Sequence, residues 1–134
     1  MTGPARRRVT AVKIHCPVLP GTLAAMLAGD ASALEADPAA AACLAIIRSD
    51  NALGDFGLYH GVCEIGIGWE SFTPSPEAAP TLGSAGDMAL SPTVILTTYA
   101  PADADIDAAL AALMAAHPWE VPVIELAEVV LLVR

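Results

Sequence analysis

His117, Pro118, Trp119 and Glu120 stand together at the end of an alanine-rich run, and Tyr59, His60, Cys63 and Glu64 stand together in an aromatic-rich stretch. Imidazole, thiolate and carboxylate are donors that suit zinc, copper or iron, with imidazole the commonest. His60, Cys63, His117 and Glu120 are therefore the candidate metal ligands. The same groups suit proton transfer, with His117 or His60 as base and Tyr59 or Glu120 as acid. Trp69, Phe72 and Trp119, with Glu64 near them, would wall an apolar substrate pocket. A plainer reading stands beside these. A charged histidine in a last helical turn stabilises that end by roughly 0.3–1 kcal/mol, Trp119 could close the core, and Glu120 could sit in water.

Other residues of chemical interest carry less. His15 and Cys16 are neighbours on a strand and point to opposite faces, so they do not share one ion and read as core or interface residues. Cys43 lies on an apolar helix face and reads as buried and inert. Asp103, Asp105 and Asp107 lack the glycine and closing glutamate of a calcium loop and fit the charged start of a helix. There is no phosphate-cradling glycine loop, nucleophile elbow or HExxH.

The elements that must position these groups follow from periodicity. In "VTAVKIHCPV", Val9 to Val18, residues Val12, Ile14 and Cys16 alternate with Lys13 and His15, which predicts a strand ended by Pro17 and the Pro20-Gly21 turn. "TLAAMLAG" predicts a short helix stopped by Gly29. Asp37 is the expected N-cap and Pro38 the first residue of a second helix, "PAAAACLAIIR", separated from the first by a break. Tyr59 to Gly66 alternate as a strand, and Gly66 and Gly68 suggest a bulge or a close backbone approach. "SPEAAPTLGSAGD" is a loop, and "PTVILTTYAP" a clear strand. "ADADIDAALAALMAAH" puts Ile106, Leu110, Leu113 and His117 on one helical stripe. "VPVIEL" and "EVVLLV" form a last strand, with an interruption expected at Ala127.

The order β-α-(α)-β-β-α-β predicts an α+β, ferredoxin-like split βαβ sandwich: an antiparallel sheet with helices on one face and an extra helix after the first strand. Residues 1–10 are expected to be a flexible N-terminus and residues 11–134 a single domain.

Composition narrows the function classes. Of 134 residues, 55 % are hydrophobic and 16 % charged, enough for one folded core. So little surface charge, and a sheet with one uncovered face, point to self-association as a dimer or trimer. Net charge is −9, and Arg6, Arg7 and Arg8 are the one cationic cluster, which argues against nucleic acid and an acidic membrane surface. No apolar run reaches transmembrane length. Three cysteines without CxxC spacing support neither a disulfide framework nor a zinc ribbon, so a reduced, cytoplasmic setting is expected.

"GLYHGVCEIGIGW", "FTPSPEAAPTLG" and "ALMAAHPWEVPVIEL" together resemble the CutA-like, PII-like domain inserted in the Nif-three-like family of metal-binding proteins. Phe72, Pro74, Pro80 and Gly83 match its spacing, and His117-Pro118, Glu120 and Pro122 match its His-Pro-Tyr-Glu-Glu-Pro stretch, with Trp119 and Val121 as departures. The likeness spans the chain beyond Thr10, and its specific part lies in residues 57–83 and 106–126. The family's metal-pairing halves have no counterpart here, and the spacing of His60 and Cys63 departs from the family's His-Cys pair. The resemblance implies a ferredoxin-like fold, homo-oligomeric, akin to small trimeric sensors of divalent metals or small ligands, and no single reaction.

Three functions are therefore in view. The first is a homo-oligomeric binder of a divalent metal or small metabolite near a subunit interface. The second is a small enzyme using the same pocket, and the third a purely structural assembly domain.

Overall fold

Alternation along the first strand sets the frame of the molecule. Val12, Ile14 and Cys16 are buried on one face of it, while Lys13 and His15 face the other way. The computed structural model describes residues 3–134. In chain order it comprises β1 (Ala5–Pro17), α1 (Pro20–Leu27), a 3-10 turn (Ala31–Ala36), α2 (Pro38–Ile47), β2 (Glu64–Phe72), β3 (Ala89–Pro101), α3 (Asp107–Ala116) and β4 (Val123–Val133). The strands form one sheet in the order β2-β3-β1-β4, with every neighbouring pair antiparallel. The fold is the ferredoxin-like split βαβ sandwich with helices on one face.

The core lies between that face and the helices. Ile14, Val94 and Leu96 of the sheet meet Leu34, Leu44, Ile47 and Leu113 of the helical layer, all 2 % exposed or less. Each such side chain contributes about 1.5–3 kcal/mol by leaving water. The stripe expected on α3 is present: Ile106, Leu113 and His117 are buried and Leu110 packs against the core. Asp37 caps α2 as expected, its Oδ1 accepting the Ala40 N–H at 3.1 Å, with Pro38 at the first helical position. Among the described residues, no helix is long and apolar enough to cross a membrane.

Several strands differ in extent or regularity from the sequence reading. β1 begins at Ala5, not Val9, because Arg6, Arg7 and Arg8 pair with Leu132, Leu131 and Val130 of β4. The segment expected to be flexible is thus strand from Ala5 onward, and Met1 and Thr2 lie outside the described residues. Arg7 is further tied down, donating to the Asp55 carbonyl at 3.0 Å and lying 5.6 Å from the Phe56 ring centre. β4 runs through Ala127 without interruption, since Ala127 sits opposite Ala11 in unbroken register.

The strand expected from Tyr59 to Gly66 lies instead at Glu64–Phe72, and residues 54–63 form a folded-back loop. Gly54 is the pivot. Its φ is +69° and its N–H donates to the Tyr99 carbonyl at 2.8 Å, while a Cβ there would lie 2.6 Å from the Val62 nitrogen. Only glycine allows that approach. Gly66 and Gly68 pair regularly with Ile95 and Thr93, so the expected bulge is replaced by plain ladder.

Candidate functional site

The site begins where α3 stops. His117 leaves the helix with extended backbone (φ −71°, ψ 129°), the conformation that a following proline imposes. Its side chain is 6 % exposed and packs back against β1. Nε2 lies 2.7 Å from the His15 carbonyl oxygen, and Nδ1 lies 3.2 Å from the Trp119 backbone nitrogen. A carbonyl only accepts and a backbone N–H only donates, so the proton sits on Nε2 and the ring is neutral. Both nitrogens are engaged, which leaves His117 no lone pair for a metal and no free position as a base.

The residues after it fasten a strap. Residues 74–86 cross this end of the sheet between β2 and β3. The Ala79 N–H donates to Glu120 Oε1 at 2.6 Å, and the Thr81 hydroxyl donates to the Pro118 carbonyl at 3.0 Å. Phe72 and Trp119 meet edge to face with centroids 5.2 Å apart. Gly83 turns the strap back with φ +96°, where a Cβ would press to 3.1 Å on Ala89 and 3.5 Å on Phe72. The conspicuous residues of HPWE therefore act as a clasp, with His117 holding β1 and Pro118 and Glu120 holding the strap.

Beneath the strap lies a cleft of about 450 Å³, walled by Phe72, Pro74, Pro80, Leu82, Trp119, Val121 and Val123, with Glu70, Ser71, Thr81 and Glu120 supplying polar atoms. Phe72 and Glu70 share the helix-free face of the sheet because they are two residues apart on β2. Trp119, Thr81 and Leu82 also wall a smaller hollow of about 280 Å³ on the other side, beside Asp37 and Ser91. On the same helix-free face His15 lies between two carboxylates, Nδ1 3.6 Å from Glu70 and Nε2 3.8 Å from Glu125. His15 Nε2 is buried and makes no hydrogen bond.

Of the residues singled out by sequence, Phe72, Trp119 and Glu120 come together in the cleft and His117 supports it from behind. Tyr59, His60, Cys63 and Glu64 do not join them within the chain. They precede or open β2, whereas Phe72 closes it, and eight residue steps along a strand span roughly 26 Å. Tyr59 is largely exposed, and the His60 ring lies 3.4 Å from Asp55. Trp69 is on the helix side of β2, opposite to Phe72, and is 56 % exposed. Among the described residues, no three His, Cys, Asp or Glu side chains come close enough to hold a metal ion. Glu70, His15 and the strap were not among the expected site residues. The period-two relation of Glu70 to Phe72 is the signal that would have included Glu70 and left out Trp69.

The thiols are also poor ligands where they stand. Burial pushes Cys63 up to about 11, with the Arg48 charge opposing it. The Cys43 thiol beside it and burial in the core hold Cys16 above the usual thiol range, and its Sγ donates to the Pro17 carbonyl at 3.7 Å. Cys63 should therefore react with iodoacetamide at neutral pH about a hundredfold more slowly in the folded protein than in the denatured chain. Peptide-resolved mass spectrometry of the alkylation time course measures this. Equal rates would mean an accessible thiol that burial does not hold back.

No family model and no curated protein matches the chain. Among solved structures it resembles a Bacillus cereus protein related to NIF3, with a TM-score of 0.60 and 17% sequence identity over 95% of this chain and 27% of that one. The chain thus spans about a quarter of the length of the protein it resembles. At this identity the likeness is one of fold, and it places the chain's α+β sandwich with a segment of a NIF3-related protein.

Proposed function

We propose that this chain is a binding domain of the CutA-like, PII-like kind whose small-molecule ligand occupies the cleft beneath the strap, and that it works as a homo-oligomer. The observation that carries the reading is the cleft itself: about 450 Å³, with an aromatic pair on one wall and a few polar atoms among apolar side chains. That is the size and make-up of small-molecule sites in general. Binding is favoured over catalysis because the groups best suited to proton transfer are already in use. His117 is bonded through both nitrogens and Glu120 accepts the Ala79 N–H. Self-association is supported by edge strand β4, which exposes Leu126, Val130 and Leu132 along an unpaired edge.

A screen of small aromatic fragments against isotopically labelled protein, read by amide NMR shifts, tests the reading. Hits should perturb Phe72, Thr81, Trp119 and Val123 together, and Trp119→Ala should weaken them by about tenfold or more, as loss of a buried aromatic wall does. Hits clustering at any other surface, or an unchanged affinity in Trp119→Ala, would remove the cleft as the site. Light scattering on the same samples should give a dimer or trimer mass, and a monomer would overturn the assembly part.

A further inference from the structure

We infer that the ligand of this cleft is an organic cation, an ammonium or guanidinium group carried on an apolar, ring-bearing body. The inference rests on the cleft reading above and specifies its chemistry. The ionisable side chains on the cleft walls are Glu70 and Glu120, with no lysine, arginine or histidine among the wall residues. Around them the balance stays negative whatever His15 does. Glu70 and Glu125 flank the His15 imidazole and Glu120 stands on the cleft wall, so even with His15 protonated and Lys13 opposite Glu125 on the same face, three carboxylates outnumber two cations. The whole chain adds to that field with a net charge of −9.

Such a site repels phosphates, nucleotides and carboxylates, because nothing on its walls compensates an anion. A neutral body would fill the apolar part but would leave the Glu70 carboxylate partly desolvated and unpaired by the ligand. Its side chain is only 23 % exposed. A cation meets both demands. It pairs with Glu70 in a half-buried setting, where screening is weaker than at the surface. It also lies close to Trp119 and Phe72, where a ring face within about 6 Å attracts positive charge. Glu120 is the lesser partner, since one of its oxygens already holds the strap. Ligand charge and strap are thereby linked: a cation near Glu120 sits beside the clasp at Ala79.

The test compares three probes of similar size: 2-phenylethylammonium, 2-phenylethanol and 3-phenylpropionate. Each is titrated into the labelled protein while both tryptophan indole N–H resonances are followed. Trp119 reports the cleft, and Trp69, on the other face of the sheet, serves as internal reference. The ammonium should shift Trp119 saturably and bind at least about tenfold tighter than the alcohol, the effect of one partly buried charge pair with a cation–π contact. Added salt should narrow that gap, and Glu70→Gln should lower the ammonium's affinity about tenfold. Salt sensitivity in the unmodified protein keeps the test decisive even where Glu70→Gln disturbs the fold. If the alcohol or the carboxylate binds as tightly as the ammonium and still shifts Trp119, the cleft stands and the cationic assignment falls. If none of the three moves Trp119, both the assignment and the cleft reading fall.

Discussion

Replacing Asp37 with alanine should lower the unfolding free energy by about 3–5 kcal/mol, the largest effect expected of any single polar substitution in this chain. Asp37 is 2 % exposed, yet its carboxylate is fully used. Oδ2 accepts the Leu19 N–H at 2.9 Å and the Thr22 hydroxyl at 2.7 Å, and Oδ1 accepts the Ala40 N–H at 3.1 Å. One side chain thus caps α2 and also ties down the β1–α1 connection, 18 residues away in sequence. Alanine would leave three donors without an acceptor in a place water reaches poorly, and each unmet group costs about 1–3 kcal/mol. Asparagine keeps one acceptor oxygen and should lose about half as much. Guanidinium or urea denaturation, with equal m-values for the three proteins, measures both changes. A loss under about 1 kcal/mol in Asp37→Ala would mean that water replaces the carboxylate and that the cap is incidental.

His117→Ala should destabilise by about 2–4 kcal/mol, through the cavity left by a buried ring and the two hydrogen bonds it removes. The His15 carbonyl would lose its donor and the Trp119 N–H its acceptor. The ring centroid also lies 5.9 Å from that of Trp119, so that side chain loses one of its two ring neighbours and keeps Phe72. Two readouts separate this from a generic core defect. Trp119 indole NMR should broaden or shift while Trp69, on the other side of the sheet, stays in place. Affinity of any cleft ligand should fall together with stability. An unaltered Trp119 environment in a destabilised protein would show that His117 holds β1 without positioning the cleft. Metal uptake is not expected to change, because neither nitrogen of this ring is free to coordinate.

Local patterns were legible wherever a few consecutive residues decide the outcome. Asp37 followed by Pro38 names a helix start, because the cap acts on the N–H three residues on. Ile106, Leu110, Leu113 and His117 name a buried stripe, because 3.6 residues per turn brings them to one side. Val12, Ile14 and Cys16 name the buried face of β1 for the corresponding two-residue period. Element order then leads to the split βαβ arrangement. Residues 54–72 were harder to place. Their alternation fits either of two strand positions, and the positive φ of Gly54, Gly57 and Gly61, which settles the loop, depends on hydrogen bonds to Tyr99 and within the loop.

The sequence by itself thus determined the fold class, the order and faces of most elements and the cap at Asp37, and it singled out Phe72, His117, Trp119 and Glu120 without placing them. Tertiary structure alone decided what those residues do. His117 meets a carbonyl 102 positions away, and Glu120 and Pro118 meet strap residues 41 and 37 positions away. No periodicity encodes such pairings, because they depend on where β2 and the strap are laid against β3 and on which strand edges meet. The same long-range packing carried Tyr59, His60, Cys63 and Glu64 to the far end of β2, and brought Glu70, two residues from Phe72 on the same face of that strand, into the cleft with it.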